Sequence, residues 1–432
     1  MSYKILSLDG GGSWALIQAR VLQDLYGDIR GHALLRQFDM AIANSGGALV
    51  LACLCNDMKM SEILDVFEDK EKRKQVFSPL SFWEKLRWRN IASFTSVLGP
   101  RYSMERKLKG LCDVLKKADH LFEEKTIAQP IIDTPLNELP AIIKKGNLDL
   151  IIMGFDYFRR RSSFFRSNPT SLTDKFSDGK FFQLTLAHAI HSSSNAPVNY
   201  FDAPAAIDIH LFNKNDSRKT FYWDGGVAGF NNPVLGGLIE AMTNHPEIAL
   251  QDYCILSLGT STGSRTVLTD LKESTDPAMK EIFDKNKDNK LTFTNTSSGF
   301  FSDVRKLATS ILGDPPDSAT FIAYAILDPT LTRNKAKLVR INPCITPEKD
   351  INNIYVVPEV YKNRDKEFIA LMDLDMDAVE DDEVKLISNF CDKFIVTAKP
   401  CISNQLIRGD ENSIHLGQST YQKAKEEWLS CM

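Results

Sequence analysis

The chain has 432 residues, enough to bury a large core and more than the roughly 100 to 200 residues of one typical domain. Hydrophobic residues make up 43% of it and charged residues 25%, which is the balance of an ordinary soluble globular protein. The formal net charge of -4 argues against a nucleic-acid partner. One large α/β domain with additions and two separate domains both remain open.

The cysteines and the N-terminus predict a cytoplasmic protein. Eight cysteines contain no C-x-x-C pair, and several stand in apolar runs such as ALVLACLC, which is typical of buried thiols in a reducing compartment. The chain enters a strand-like segment without a basic start or an apolar leader. No segment reaches the roughly 18 apolar residues of a membrane span.

Short apolar segments bounded by Asp, Gly or Asn predict strands at 3–8, 38–43, 148–155, 220–223, 253–259 and 337–342. Helix-like periodicity occurs at 13–26, 46–55, 60–74, 104–118, 183–193 and 233–243. This alternation predicts an α/β fold with a largely parallel central sheet and helices on both faces. Functional residues of such a sheet lie at the carboxyl ends of its strands.

The second half of the chain predicts additions to this sheet. Residues 263–336 are polar and irregularly patterned, which favours an excursion from a main domain over 1–345. Residues 346–432 are expected to form a C-terminal helical region packed on it. The acidic run DLDMDAVEDDE in this region predicts a solvated helix start, because negative charge favours a helix N-terminus.

Three consecutive glycines, Gly10 to Gly12, follow the first predicted strand in LDGGGSWAL. Gly10, Gly12 and Ala15 fit the G-x-G-x-x-[GA] spacing of a dinucleotide-binding loop. That fingerprint also needs an acidic residue at the end of a second strand, which the sequence does not supply. Asp9 would place a carboxylate beside a pyrophosphate, which electrostatics disfavours. A tight turn and an oxyanion hole remain the other interpretations.

The segment FDMAIANSGGALVLACL predicts a strand, a serine in a turn of small residues, and a buried helix. Ala43-Asn44-Ser45-Gly46-Gly47 matches the nucleophile elbow G-x-S-x-G, with alanine for the first glycine. Small residues are needed around the serine because strand and helix pack closely there. Ser45 is therefore a candidate nucleophile, with a structural turn serine as the alternative.

In FYWDGGVAGFNNPV, Asp224 ends a predicted strand and precedes Gly225 and Gly226. A carboxylate at this position can face the same sheet edge as Ser45 and take its proton. Asp-Gly-Gly is also ordinary turn chemistry, which is the alternative interpretation.

The order of LDGGG, an elbow serine and a distant DGG followed by NNP resembles the patatin-like phospholipase family. LAHAIHSSSNAPVNYF (186–201), ILSLGTSTG (255–263) and the acidic, helical tail are also similar to segments of that family. The resemblance spans roughly residues 3–397. It implies a three-layer α/β/α lipid acyl hydrolase of phospholipase A or lysophospholipase type, without a metal ion or cofactor.

The resemblance also implies which residues act. Ser45 would be the nucleophile and Asp224 the general base of a Ser-Asp dyad, with the N–H groups of Gly10, Gly11 and Gly12 as the oxyanion hole. The residues expected to support them are Asp9, Ala43, Gly46, Gly47, Gly225 and Gly226. The expected substrate is a phospholipid or another acyl-ester lipid. If residues 263–336 cover the site, an activator protein is a further expected partner.

Two departures from the family pattern leave alternatives open. Trp14 and Ala15 stand where the pattern DGGG-x-R-G has arginine and glycine, so Trp14 removes a positive charge from the expected oxyanion region. Ala43 replaces the first elbow glycine. The chain could therefore be a catalytically weak or silent member that binds lipid or protein. A Rossmann-type nucleotide-binding protein is the other alternative.

Three further patterns have weaker implications. Residues 77–90 combine aromatic with basic residues, which suits docking on an anionic membrane surface, with packing against the core as the alternative. Residues 284–295 have acidic residues at calcium-loop spacing, but the glycine and the bidentate glutamate are missing, which favours a polar loop. His188, His191 and His210 have no partner that the sequence can show, so none is assigned to the catalytic pair.

Overall fold

A computed structural model describes residues 2–86, 100–168, 184–197, 200–210, 217–261, 274–286, 315–330, 337–343, 345, 347–352, 354–374, 376–396, 404–405, 415–418 and 420–432. The strands of its main sheet are β1 Tyr3–Leu8, β2 Met40–Ala43, β3 Asp149–Asp156, β4 Arg161–Arg166, β5 Ala205–His210, β6 Ser217–Asp224, β7 Tyr253–Leu258 and β8 Leu338–Ile341. Two short antiparallel pairs join β9 Glu348–Lys349 to β10 Tyr355–Val356 and β11 Asn404–Gln405 to β12 His415–Leu416.

The helices in the first half of the chain are α1 Leu16–Tyr26, α2 Gly31–Leu35, α3 Ser45–Cys55, α4 Met60–Glu68, α5 Lys70–Val76, α6 Phe82–Leu86, α7 Met104–Lys117, α8 His120–Glu123, α9 Leu139–Ile143 and α10 Leu186–Ser193. Those in the second half are α11 Val234–Asn244, α12 Pro277–Asn286, α13 Pro315–Leu327, α14 Asp365–Asp373, α15 Asp381–Val396 and α16 Tyr421–Cys431. Single 3-10 turns follow β1 and β6, at Gly12–Ala15 and Gly225–Ala228.

The main sheet confirms the predicted α/β class. Its order is β5-β6-β3-β2-β1-β7-β8, with β4 also paired to β3. Strands β3, β2, β1, β7 and β8 pair in parallel, whereas β4 and β6 pair antiparallel with β3, and β5 pairs antiparallel with β6. The sequence did not predict β4 and β5, because RSSFFR and AAIDIH interrupt their apolar residues with charged or polar ones.

Alternate residues of the strands face two hydrophobic cores, one on each side of the sheet. Leu6 of β1 and Ala41 of β2 belong to the larger core, which α1, α3 and α15 cover. Their neighbours Ile5 and Ile42 belong to the second core, which α11 and α13 cover. Because both faces are covered, the central strands are buried on both sides and read as continuous apolar runs. The result is the three-layer α/β/α arrangement.

Strands β2 and β6 reach the same edge of β3 from opposite ends. β2 runs parallel to β3 as far as Ala43, which pairs with Ile152, and β6 runs antiparallel to β3 up to Asp224, which pairs with Gly154. β4 occupies the other edge of β3 along both stretches. The ends of β2 and β6 therefore meet head to head, with only Met153 of β3 between the two pairings.

The acidic run in the C-terminal region differs from its prediction as a solvated helix start. Only its last part, Asp381 onwards, begins a helix with acidic residues in the first turn. The part before it is bound to the glycine loop, since Ser13 donates from its amide to the Met376 carbonyl and from its hydroxyl to the Ala378 carbonyl. Asp377 is buried and pairs with Arg101. Hydrogen bonds to the glycine loop fix the position of this segment. Hydrophobic periodicity in the sequence cannot reveal such contacts.

Other predicted segments are only partly described. The excursion over 263–336 contains α12 in the larger core and α13 in the second core, and its remainder lies outside the described residues. Most of the weak calcium pattern also lies outside them. In the segment 77–90, Phe77 packs against the core, Phe82 and Trp83 are exposed, and residues 87–90 are not described. No helix among the described residues combines the length and apolar character needed to cross a bilayer.

Candidate active site

Ser45 stands at a sharp turn from β2 into α3. It is the first residue of the helix and has a φ of 49°, in the left-handed region that non-glycine residues seldom adopt. The preceding residue, Asn44, is still extended. Such strain persists only where the surroundings enforce it, and it is the local geometry of a nucleophile elbow.

The carboxylate of Asp224 lies against this turn. It accepts hydrogen bonds from Nδ2 of Asn44 at 3.1 Å and from the Gly226 amide at 2.8 Å, and the neighbouring Ser45 side chain lowers its pKa. Burial raises the pKa of Asp224 above its ordinary value, while these hydrogen bonds and the charge of Lys107 act in the opposite direction. The result is a buried carboxylate in contact with a strained serine.

A second serine fixes the turn from the other side. Oγ of Ser193, at the end of α10, accepts the Ser45 amide proton at 2.9 Å and donates to Oδ1 of Asn44 at 3.3 Å. Asn44 is therefore held by Ser193 at its oxygen and by Asp224 at its nitrogen. Sequence patterns assign no role to Ser193 or Asn44, although both stand in segments that resemble the family, the SSSNAP run and the elbow.

Lys107 brings a positive charge close to Asp224 from the first turn of α7. Its Nζ is buried, donates to the His191 carbonyl at 3.2 Å and to Oδ1 of Asn195 at 3.4 Å, and lies 4.3 Å from the ring centre of Phe201. Burial lowers the pKa of Lys107 well below its ordinary value, and the Asp224 charge opposes that shift. The sequence missed this residue because a lysine in an amphipathic helix ordinarily faces solvent.

The three glycines cross directly over the elbow. A Cβ at Gly10 would lie 3.0 Å from Cβ of Ser45, so only glycine leaves room there. The Gly10 amide donates to the Asn231 carbonyl at 2.8 Å, and it is therefore not free to bind an oxyanion. The amides of Gly11 and Gly12 donate no hydrogen bond within the described part of the chain. Gly12 has a φ of 58°, which again favours glycine.

A buried ion pair stabilises the base of this loop. Asp9 accepts two hydrogen bonds from Arg340 of β8, at 2.9 and 2.6 Å, and Arg340 also donates to Ser257 at 2.9 Å. Both members of the ion pair are almost completely buried. Asp9 thus supports the loop through an arginine distant in sequence, which no local motif could indicate.

Trp14 lies in the larger core and not at the elbow. Its side chain is 6% exposed and packs edge to face against Phe390 of α15, with ring centres 6.5 Å apart. The position where the family pattern has arginine therefore serves packing against the C-terminal region.

The remaining predicted residues allow close packing. Ala43 is fully buried at the end of β2. A Cβ at Gly46 would lie 2.9 Å from the Gly12 nitrogen, and one at Gly225 would lie 2.8 Å from Cβ of Met153. Gly47 donates its amide proton to the Asp9 carbonyl at 3.1 Å. Strand, loop and helix therefore approach at distances that a larger side chain would prevent.

Histidines form no hydrogen bond to Ser45 or Asp224 among the described residues. Both ring nitrogens of His191 are buried and lack a hydrogen-bond partner there. Burial, with a smaller effect of Lys107, lowers the pKa of His191 well below its ordinary value. His188 contacts Thr185, which caps α10, and the side chain of His210 is not described. The described residues contain no cluster of potential metal ligands.

Comparison with protein-family models matches residues 6–238 to Patatin-like phospholipase. The chain belongs to the patatin-like phospholipase family. Members of this family are generally lipid acyl hydrolases, and the matched segment contains the glycine loop, the elbow serine and Asp224. The resemblance drawn from the sequence motifs is thus confirmed. No curated protein matches the sequence.

Two solved structures are similar to parts of this chain. VipD from Legionella pneumophila is 12% identical, with a TM-score of 0.32 over 90% of this chain and 67% of VipD. The second is the complex of full-length SpcU with full-length ExoU from the type III secretion system of Pseudomonas aeruginosa. It is 13% identical, with a TM-score of 0.26 over 45% of this chain and 38% of the matched chain.

The Asp9–Arg340 pair provides a stability test of the loop. Asp9→Asn leaves the Arg340 guanidinium buried without its counter-charge, so we expect a loss of about 3–5 kcal/mol in the free energy of unfolding. Urea unfolding followed by circular dichroism measures it. Glu359→Gln removes the partner of Lys362 in an exposed pair and should leave the unfolding midpoint almost unchanged. An Asp9→Asn midpoint equal to that of the control would contradict the account.

Proposed function

We propose that this protein hydrolyses fatty-acyl esters of phospholipids or lysophospholipids with a Ser45-Asp224 dyad. The observation that carries the proposal is a strained elbow serine whose side chain interacts with a buried carboxylate, in a chain of the patatin-like phospholipase family. The contact supports a dyad in which the carboxylate itself takes the proton that histidine takes in a triad.

Each step of the proposed reaction uses the same two side chains. Oγ of Ser45 attacks the ester carbonyl carbon as its proton passes to an oxygen of Asp224. The tetrahedral intermediate collapses, the C–O bond to the lipid alcohol breaks, and Asp224 returns the proton to the departing oxygen. Water then attacks the acyl-Ser45 ester while Asp224 takes a water proton, and the fatty acid leaves as Ser45 recovers its proton.

Backbone amides near the elbow would stabilise the developing oxyanion. We assign this role to Gly11 and Gly12, since the Gly10 amide is already hydrogen-bonded to Asn231. The N-terminus of α3, which begins at Ser45, adds a positive partial charge. One such donor typically lowers a barrier by on the order of 3 kcal/mol, so two of them would contribute as much as the base.

The basicity of Asp224 follows from its surroundings. An unperturbed aspartate, with a pKa of about 3.9, is a weak base toward a hydroxyl group. Burial raises the pKa of Asp224 and so strengthens it as a base. Hydrogen bonds from the elbow and the Lys107 charge act in the opposite direction and favour the ionised carboxylate. Acyl chains of a bound lipid would exclude further water.

A weak or silent lipid-binding protein is the second candidate. It is favoured by Trp14, which occupies the arginine position of the family pattern and packs in the core, leaving no cation from that position at the glycine loop. This candidate predicts lipid binding without turnover, so measuring turnover separates the two.

Removing either member of the dyad should abolish hydrolysis. We expect Ser45→Ala and Asp224→Asn each to lower fatty-acid release from phosphatidylcholine vesicles, and from a soluble p-nitrophenyl ester, by on the order of a thousandfold or more. Ser194→Ala is the matched control, because this hydroxyl, just after the end of α10, donates to the Ile190 carbonyl and to no other group among the described residues. Equal activity of wild type and Ser45→Ala would refute the proposed chemistry.

Lys107 should influence the pH at which kcat/KM falls on the acid side of its pH profile. Asp224 must be ionised to accept a proton, so kcat/KM falls as pH decreases through its raised pKa. Lys107→Met removes a positive charge that favours the carboxylate, and we expect the acid limb to move to higher pH. Lys109→Met, an exposed position of the same helix, should leave it in place.

His191 also interacts with Lys107, and burial lowers the pKa of His191 well below its ordinary value. An unchanged or downward-shifted acid limb in folded Lys107→Met would show that Lys107 does not act on Asp224.

A further inference from the structure

The turn between β3 and β4 exposes two aromatic side chains side by side. Tyr157 is 48% exposed and Phe158 is 64% exposed. Their ring centres are 5.5 Å apart, and Phe158 lies 5.4 Å from the ring of Phe221 on β6. The three rings form an apolar patch that continues from the turn onto a neighbouring strand. Neither motif analysis nor the proposed chemistry gives this patch a role.

The turn is held in this conformation by its own backbone. Tyr157 donates to the Phe221 carbonyl at 2.9 Å, which joins the turn to β6. The amides of Phe158 and Arg159 donate to Oδ1 of Asp156 at 2.9 and 2.8 Å. Arg160 has a φ of 54° and donates to the Asp156 carbonyl at 2.8 Å. The aromatic rings are therefore displayed from an ordered hairpin.

Basic residues surround the exposed rings. Arg159, Arg160 and Arg161 follow them directly and are all exposed, and Lys219 is exposed on β6. Asp156 is mostly buried and its carboxylate is directed to the turn amides, with Arg159 3.9 Å away. These exposed basic residues make the surface around the turn positive, although the whole chain has a net charge of -4.

The hairpin extends beyond the carboxyl end of β3, which is the end of the sheet at which Ser45 lies. Asp224 pairs with Gly154 of β3, and the turn begins three residues later, at Tyr157. With a rise of about 3.3 Å per residue, the turn extends roughly 10 Å beyond the level of the Asp224 backbone. A flat surface in contact with the hairpin tip would therefore face the end of the sheet at which Ser45 lies.

We infer that the hairpin formed by β3 and β4 docks on an anionic phospholipid surface, with Tyr157 and Phe158 entering the headgroup region and the three arginines binding lipid phosphates. Aromatic side chains with a cationic rim are the composition that prefers a membrane interface. The phosphates of such a surface complement the charge of Arg159, Arg160 and Arg161. This inference rests on the proposed function, because it makes the docked surface the source of the lipid substrate.

Vesicle binding by the full chain in a Ser45→Ala background tests the docking without hydrolysis of the vesicles. The background protein should sediment with phosphatidylcholine/phosphatidylserine vesicles and much less with pure phosphatidylcholine. Each arginine near an anionic surface contributes about fivefold, so Arg159→Gln/Arg160→Gln/Arg161→Gln should weaken binding by on the order of a hundredfold. Tyr157→Ser/Phe158→Ser should weaken binding to the anionic vesicles at least tenfold.

Matched controls remove similar groups elsewhere. Lys109→Gln/Lys117→Gln/Lys125→Gln deletes three exposed positive charges outside the hairpin, and Phe122→Ser deletes an exposed aromatic ring. Both should bind as the background protein does. Circular dichroism melts verify that all variants are folded. Binding that is unchanged in the folded hairpin variants, equally weakened in the controls, or absent in the background protein would overturn the inference.

The same hairpin substitutions in the active chain separate this inference from the proposed function. They should lower hydrolysis of anionic vesicles and leave cleavage of a soluble short-chain p-nitrophenyl ester unchanged. If the soluble ester is not cleaved at all while vesicle binding still depends on the hairpin, the proposed function fails and the docking stands. If the hairpin variants hydrolyse anionic vesicles at the wild-type rate, the docking fails and the proposed function stands.

Discussion

The head-to-head meeting of β2 and β6 on one edge of β3 is the constraint on which the rest of the site depends. β2 ends at Ala43 and leads into the elbow, and β6 arrives from the opposite direction and ends at Asp224. In a purely parallel sheet, both ends could not approach along the same edge. The antiparallel β6 therefore places Asp224 beside the elbow, although Asp224 is far from Ser45 in sequence.

Around this contact the protein buries several charges, and each has a partner. Asp224 is stabilised by hydrogen bonds from the elbow and by the nearby charge of Lys107. Asp9 is neutralised by Arg340 beneath the glycine loop. Unpaired charges at such depth would be strongly unfavourable, so these pairs restrict how the loop and elbow can move. The packing of Trp14 against α15 and the bonds of Ser13 to Met376 and Ala378 attach the C-terminal region to the same loop.

Much of the fold could be predicted from the sequence because its central strands are buried on both faces. The segment MAIA of β2 is continuously apolar and YKILSL of β1 is mostly so, and small residues mark the elbow and the two glycine turns. β4 and β5 were missed because their apolar residues are mixed with polar ones. The buried segment around Asp377 was interpreted as solvated, because its partners Arg101 and Ser13 lie far away in the chain.

The candidate site was predictable only in part for the same reason. Ser45 and Asp224 could be predicted because glycines follow each of them directly in the sequence. Lys107, Ser193 and Arg340 reach the site through tertiary packing, and no spacing rule connects them to it. The sequence cannot show which glycine amides are available to bind an oxyanion. In the structure the Gly10 amide donates to Asn231, whereas those of Gly11 and Gly12 donate to no group among the described residues.

Fluorophosphonate labelling distinguishes a Ser45 nucleophile activated by Asp224 from a structural turn serine. Its rate is measured as a function of pH in wild type and in Asp224→Asn, and the modified residue is located by mass spectrometry. A Ser45-Asp224 dyad predicts modification at Ser45 and a labelling rate that falls as pH decreases through the raised pKa of Asp224. It also predicts that Asp224→Asn lowers the labelling rate at least a hundredfold. Labelling of another residue, or an equal rate in Asp224→Asn, would contradict it.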